Sequence, residues 1–349
     1  MKATIIKLTK GQFLKDIEPF KSSGIPNNCI LHKEITGCGA TSSELFTERN
    51  SIIIVPHVPV IKAKQRAHND KYGAEAQILG IYKGVDDIQI ENYLNSKAIY
   101  KKLITTPEGF KKILRVFTND IESLLKEYFL LFDECERIIT DVSYRGAITA
   151  PIEWFIKFEN KALVSATPLD FSHPVLASMN HYKILPEYDY RKQIKVIGTN
   201  NIIESLERQL PEEPEKPVFL FINSTNCIID IVNTLNLKDR SYVYCGDKSV
   251  AKLTANKFRR ASSELDLSNL SKYNFLTSRY FSALDIELDY QPDVVLVTDV
   301  HTAEHSILDV HTEIIQIAGR FRRGINGITL SQTSILNLNQ KLLKNPSIT

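Results

Sequence analysis

The chain has 349 residues, of which 43% are hydrophobic and 24% charged, and a formal net charge of +2. That length suits two domains of ordinary size, each with its own core, and the composition is that of an ordinary soluble globular protein. Basic and acidic side chains number 24 and 23 up to residue 190 and 19 and 18 beyond it, so neither half is a basic nucleic-acid domain by bulk charge and any polyanion must be held by local patches.

Five cysteines, at positions 29, 38, 135, 227 and 245, stand singly and without metal-ligand spacing. They read as reduced thiols rather than a disulfide or zinc framework. No apolar stretch approaches the ~18–20 residues that span a bilayer, and the apolar part of Met1 to Lys7 is too short for a signal peptide. The expectation is a cytoplasmic protein.

In chain order, a short strand at Thr4-Ile5-Ile6 and a helical stretch around Phe13-Leu14-Ile17 lead to a turn, Gly24-Ile25-Pro26-Asn27-Asn28. The apolar run Cys29-Ile30-Leu31 then enters Thr36-Gly37-Cys38-Gly39-Ala40-Thr41-Ser42, and a helix opens at Ser42 to Leu45. Strand, glycine turn and helix are the layout of a phosphate-binding loop: glycines let several N–H groups point at one anion, and a hydroxyl such as Thr41 would ligate Mg²⁺. Ala40 stands where such loops carry lysine. An ordinary strand-to-helix turn has the same composition, so the loop by itself does not decide function.

Ser51 to Val55 carries four consecutive β-branched residues, Ile52 to Val55, and reads as a strand buried on both faces, closed by Pro56. Lys62, Lys64 and Arg66 fall on a following helix, and 67–100 show no clear period. Another short strand ends in Thr105-Thr106-Pro107-Glu108, and one helix is expected from Phe110 to Leu125. Tyr128 to Phe132 is apolar and ends in Asp133-Glu134-Cys135-Glu136, which puts carboxylates at the carboxyl end of a buried strand, where open α/β sheets bind ligands. Lys161 to Val164 leads into Ser165-Ala166-Thr167-Pro168, and the pattern breaks near 190, where a domain boundary is placed.

The second half repeats the alternation, with strands at Ile194–Ile197, Val218–Ile222, Ser241–Tyr244, Asn274–Leu276 and Val294–Val297, and a helix from Asn226 to Leu235. Three arginines crowd behind the helical run ending in Gln316-Ile317-Ala318-Gly319-Arg320-Phe321-Arg322-Arg323. Alternation in both halves predicts two tandem α/β domains, residues 1–190 and 191–349, each a mostly parallel sheet flanked by helices.

Taken together and in order, these stretches resemble the superfamily 2 helicases, the group that contains the DEAD/DEAH-box ATPases. Thr36 to Thr41 is similar to their first motif apart from Ala40. Asp133-Glu134-Cys135-Glu136 resembles the acidic box, Ser165-Ala166-Thr167 is their Ser-Ala-Thr motif, and Gln316 to Arg323 resembles Q-x-x-G-R-x-x-R. Pro56, Thr105-Thr106-Pro107-Glu108, Phe221 to Ser224, and Leu276 to Arg279 with Asp285 resemble the weaker motifs between. Ala283 stands where a glycine is common, and no adenine-reading glutamine motif precedes the loop.

The resemblance implies two RecA-like domains with ATP and Mg²⁺ between them, and nucleic-acid-dependent ATP hydrolysis coupled to unwinding or remodelling. Residues 36–42 and Asp285 would hold the nucleotide, with Thr41 and Asp133 on the metal. Glu134 would orient and deprotonate the attacking water. Arg320 and Arg323 would stabilise charge on the γ-phosphoryl group, and Gln316 would sense the nucleotide. Ser165, Ala166 and Thr167 would couple nucleotide to strand. Pro56, His57, Thr105, Thr106, Asn223, Ser224 and Thr277 would contact a single-stranded or forked nucleic acid, DNA slightly ahead of RNA, through phosphate and sugar. With no extra domain beyond the core, specificity is expected to come from a protein partner or a substrate structure.

The missing lysine keeps a second reading open, a nucleotide or nucleic-acid clamp that retains the fold without turnover. A nucleotide kinase would not explain the Gln/Arg motif. If ATP is hydrolysed, another cation must replace the lysine, and Lys33 is nearest in sequence; strand alternation leaves its side chain equally able to face the loop or solvent.

Overall fold

The computed structural model describes residues 3–33, 35, 37–135, 149–165, 174–189, 193–281, 285–310 and 313–333. The chain divides into two compact units, Met1–Asp189 and Tyr190–Thr349. Among the described residues no helix is long and apolar enough to cross a membrane.

The first unit is built on eight strands: β1 (Thr4–Leu8), β2 (Cys29–Lys33), β3 (Asn50–Ile54), β4 (Ile78–Ile81), β5 (Lys102–Thr105), β6 (Tyr128–Asp133), β7 (Asn160–Ser165) and β8 (Asn180–Pro186). They form one sheet in the order β1-β8-β2-β7-β6-β3-β5-β4, every pairing parallel. Strand β6 shows why the sheet is covered on both faces. Leu130 and Phe132 enter one core with Ile90, Phe110 and Leu124, while Phe129 and Leu131 enter the other with Leu45 and Ile61. Each fully buried side chain of this size stabilises the unit by about 1.5–3 kcal/mol. Strands β2 and β3 are consecutive in the chain yet lie on either side of β7 and β6, so the segment leaving β2 starts at a crossing point on the carboxyl edge, the usual ligand position in such sheets.

The single helix expected from Phe110 to Leu125 is two, Phe110–Val116 and Ile121–Glu127. The cause is local: the Thr118 hydroxyl donates to the Arg115 carbonyl at 2.7 Å and the Asp120 amide to Phe117 at 2.9 Å, closing the first helix. Residues 67–100 hold strand β4 and the helix Asp87–Leu94. That helix starts with a capping box in which Asp86 accepts from the Gln89 amide at 2.8 Å and Gln89 accepts from the Asp86 amide at 2.9 Å.

The second unit has seven strands: β9 (Lys195–Thr199), β10 (Val218–Phe221), β11 (Ser241–Tyr244), β12 (Ala261–Ser262), β13 (Tyr273–Leu276), β14 (Asp293–Thr298) and β15 (Gly327–Thr333). Their order is β12-β11-β13-β10-β14-β15-β9, again entirely parallel. Alternation along β10 sends Leu220 into the core under the helix Thr225–Thr234, and Phe219 and Phe221 into the core under the helix Glu313–Arg320.

Candidate functional site

The segment leaving β2 folds as a glycine loop. Gly37 and Gly39 have φ of +75° and +89°, a left-handed conformation that glycine adopts without steric cost. Gly39 caps the helix Ala40–Leu45. Between the glycines Cys38 is buried, and its carbonyl accepts the Leu14 amide at 2.9 Å. That bond ties the loop to the 3₁₀ turn Leu14–Asp16 and brings the half-exposed Phe13 ring against Gly39. The sequence offers no local signal for this contact. Thr36 lies outside the described residues, Ala40 and Thr41 are buried, and Ser42 is half-buried.

Strand β2 runs two residues past its apolar core and ends at Lys33, whose side chain points toward the loop. Its ammonium lies 3.0 Å from Asp133 Oδ1, with both side chains buried. The Thr41 hydroxyl donates to the other oxygen, Asp133 Oδ2. One carboxylate at the end of β6 therefore joins the end of β2 to the first turn of the loop's helix. Burial alone would raise the Asp133 carboxyl, but the Lys33 ammonium and the Thr41 hydroxyl outweigh it and hold the group below the ordinary carboxylate range.

Glu134 follows with φ of +55°, a left-handed conformation that costs a non-glycine residue about 1–2 kcal/mol. Its amide donates to Asp133 Oδ1 at 3.0 Å. Ser165, fully buried at the end of β7, is in register with His32 and lies on the strand between β2 and β6. Ala166 and Thr167 lie outside the described residues.

Behind the loop is a cluster that sequence reasoning missed. Glu44, fully buried in the loop's helix, accepts from Arg49 Nε at 2.9 Å and from the Ser51 hydroxyl, with a second Arg49 nitrogen on its other oxygen. The Lys102 ammonium lies 3.7 Å from Glu44 Oε1 and donates to the Glu44 carbonyl at 2.7 Å and to Ser51 Oγ at 3.0 Å. Burial lowers Lys102 to about 8 against the opposing pull of Glu44. The partners come from β3, β5 and the turn between helix and β3, so the cluster pins the loop's helix to the sheet.

The positions expected to meet a nucleic-acid strand occur at the carboxyl ends of strands in their own units. Pro56 and His57 follow β3, and His57 caps the helix Val58–Asn69. Thr105 and Thr106 end β5, but their hydroxyls are engaged internally: Thr105 donates to the Ile81 carbonyl at 3.1 Å, and Thr106 accepts the Gly109 amide at 3.2 Å. In the second unit Asn223 donates to the His305 carbonyl at 3.0 Å, and Ser224 accepts the Cys227 amide at 3.3 Å as cap of its helix. Thr277 is buried just past β13. The Thr105 hydroxyl is committed as a donor, whereas Thr106 and Ser224 only accept, so their O–H groups can still donate to a ligand oxygen.

In the second unit the Gln/Arg stretch forms the helix Glu313–Arg320 and the turn after it. Gln316 and Arg320, four residues apart, share a buried face. Phe321 anchors the turn by packing edge-on against Phe219, ring centroids 5.3 Å apart, and bridges to Ile286. That bridge brings Asp285 beside the arginines: Arg320 lies 3.8 Å from its carboxylate, and Arg322 donates to the same oxygen. Arg322 is the residue not singled out from sequence. Arg323 is exposed.

No protein-family model and no curated protein matches the chain. Solved structures do. S. cerevisiae Dbp5 bound to RNA and ADP BeF3 aligns with a TM-score of 0.55 and 12% identity, covering 90% of this chain and 81% of that one. S. cerevisiae Dbp5 bound to Gle1 and IP6 aligns with a TM-score of 0.53 and 16% identity, covering 88% and 78%. At these identities the likeness establishes the fold alone: two RecA-like units, each a mostly parallel sheet flanked by helices.

Proposed function

We propose that this protein is a nucleic-acid-dependent ATPase of helicase type that binds a single strand and couples Mg-ATP hydrolysis to its remodelling. The observation that carries the reading is the junction of Lys33, Thr41 and Asp133 beneath a two-glycine loop on the carboxyl edge of the first sheet. The donor set fits the group it would take: Mg²⁺ prefers hard oxygen ligands, and a hydroxyl and a carboxylate are hydrogen-bonded to one another here. Bound there, Mg²⁺ would neutralise phosphate charge.

The chain's own residues divide the remaining tasks. The loop amides bind the phosphates. Glu134, next to Asp133, takes the proton of the attacking water. Arg323, exposed on the second unit, stabilises charge on the transferred phosphoryl group, while Arg320 and Arg322 fix Asp285. Gln316 and Ser165 relate nucleotide occupancy to strand binding. Ala40 favours the alternative, a clamp that binds without turnover, but a clamp has no need of a water-activating acid.

The strand is proposed to be RNA ahead of DNA, because RNA accompanies the S. cerevisiae Dbp5 structure with ADP BeF3; a cytosolic setting suits the free cysteines. With near-neutral charge, only a handful of phosphates are contacted. Binding of a fluorescent oligonucleotide should tighten with ADP BeF3, and log K should fall with log salt at a slope of roughly 2–4, at about 0.7 per phosphate. A slope above about 8, or binding indifferent to the nucleotide, would contradict the reading.

A further inference from the structure

Backbone amides neutralise a triphosphate only in part, so a phosphate loop needs a cation between the β- and γ-phosphates. Ala40 stands where the loop would carry it. We infer that Lys33 is the phosphate-binding lysine of this protein, delivered from the end of strand β2, seven residues upstream of Ala40, and held on Asp133 until a phosphate draws it away. The inference rests on the nucleotide reading of the site and assigns the cation which that reading lacks.

Three observations converge on it. Cys29 and Leu31 share one core with Cys38, Ala40 and Leu45 of the loop and its helix, and alternation along β2 sends Lys33 to that same side. The ammonium and the Thr41 hydroxyl occupy the two oxygens of one carboxylate, so Lys33 stands one carboxylate away from the hydroxyl proposed to meet the metal. The Lys33 charge also acts inside the loop, where it opposes the effect of burial on the Cys38 thiol. Lys33 is 7% exposed, and its opposite charge on Asp133 allows a flexible lysine stem to be stored dry beside the place where it is needed. A second cation, the half-buried Lys64 of the helix Val58–Asn69, exerts a weaker pull on Asp133.

A purely structural role, neutralising Asp133, makes different predictions. The experiment is equilibrium binding of a fluorescent ATP analogue, with Mg²⁺ and with chelator, by wild type, Lys33→Ala, Lys33→Gln, Lys64→Ala and Lys33→Ala combined with Ala40→Lys, each checked for folding by circular dichroism. Lys33→Ala and Lys33→Gln should bind at least about tenfold more weakly under both conditions, the size of one lost charge-assisted contact. Returning a lysine to the loop in the double variant should restore affinity to within about threefold, and Lys64→Ala should change it by less than that. Lys33→Gln keeps a donor toward Asp133 and carries the test if Lys33→Ala does not fold.

Wild-type affinity in both Lys33 variants would make Lys33 a counter-ion only and overturn the inference. A loss that Ala40→Lys does not restore would trace to a disturbed Asp133 and overturn it as well, as would a larger loss in Lys64→Ala. Wild type that binds no analogue at all would instead remove the nucleotide reading itself.

Discussion

Glu134→Gln is expected to lower ATP turnover by about 10²–10⁴, the usual contribution of a positioned general base, while leaving nucleotide binding intact and strengthening the hold on a single strand. The motivation is its place next to Asp133, on a left-handed backbone at the end of β6, and its proposed role toward water rather than phosphate. Arg323→Ala is expected to lose about 10³–10⁵ in turnover. Phosphate release, measured beside binding of a fluorescent ATP analogue, reads both. Turnover in either variant equal to wild type would show that these residues do no hydrolysis.

The second large effect is on stability. Glu44→Ala is expected to cost the first unit about 3–5 kcal/mol, because it leaves Lys102 and part of Arg49 buried without their countercharge. Lys102→Met should cost far less, since Arg49 and Ser51 still satisfy Glu44. In a unit of this size the Glu44→Ala loss corresponds to a fall of roughly 6–20 °C in its midpoint. Thermal unfolding by circular dichroism is the check; a cost below about 1 kcal/mol would mean that the cluster does not hold the loop's helix.

Much of this architecture is legible in the residues. Strands such as β3 and β6 announce themselves because a parallel sheet covered on both faces demands unbroken apolar runs. β8 and β15 do not, because their mixed runs, Asn180–Pro186 and Gly327–Thr333, are partly exposed and carry polar residues. The break at Thr118-Asn119-Asp120 and the capping box at Asp86 and Gln89 carried local signals that periodicity alone passes over.

At the site the limits are of another kind. Alternation says that Lys33 shares a face with Leu31, but not which face the loop's helix will cover; only the packing of Leu31 with Ala40 decides it. The Glu44 cluster joins residues 5, 7 and 58 positions apart, and no spacing rule connects them. The hydroxyls of Thr105, Thr106 and Ser224 are expected as ligand contacts from where they stand in the chain, and each also bonds a nearby backbone group, Thr105 as donor and the other two as acceptors. Residue type and position along a strand locate an edge of the sheet; they do not say which polar groups the fold has already used.

The central claim, that this protein hydrolyses ATP without a lysine in its phosphate loop, is tested most directly by phosphate release from Mg-ATP by wild type, with and without single-stranded RNA or DNA. The account predicts release that a single strand accelerates and that Glu134→Gln abolishes. Release no greater than that of Glu134→Gln, with either strand present, would contradict it and leave a clamp that binds without turnover.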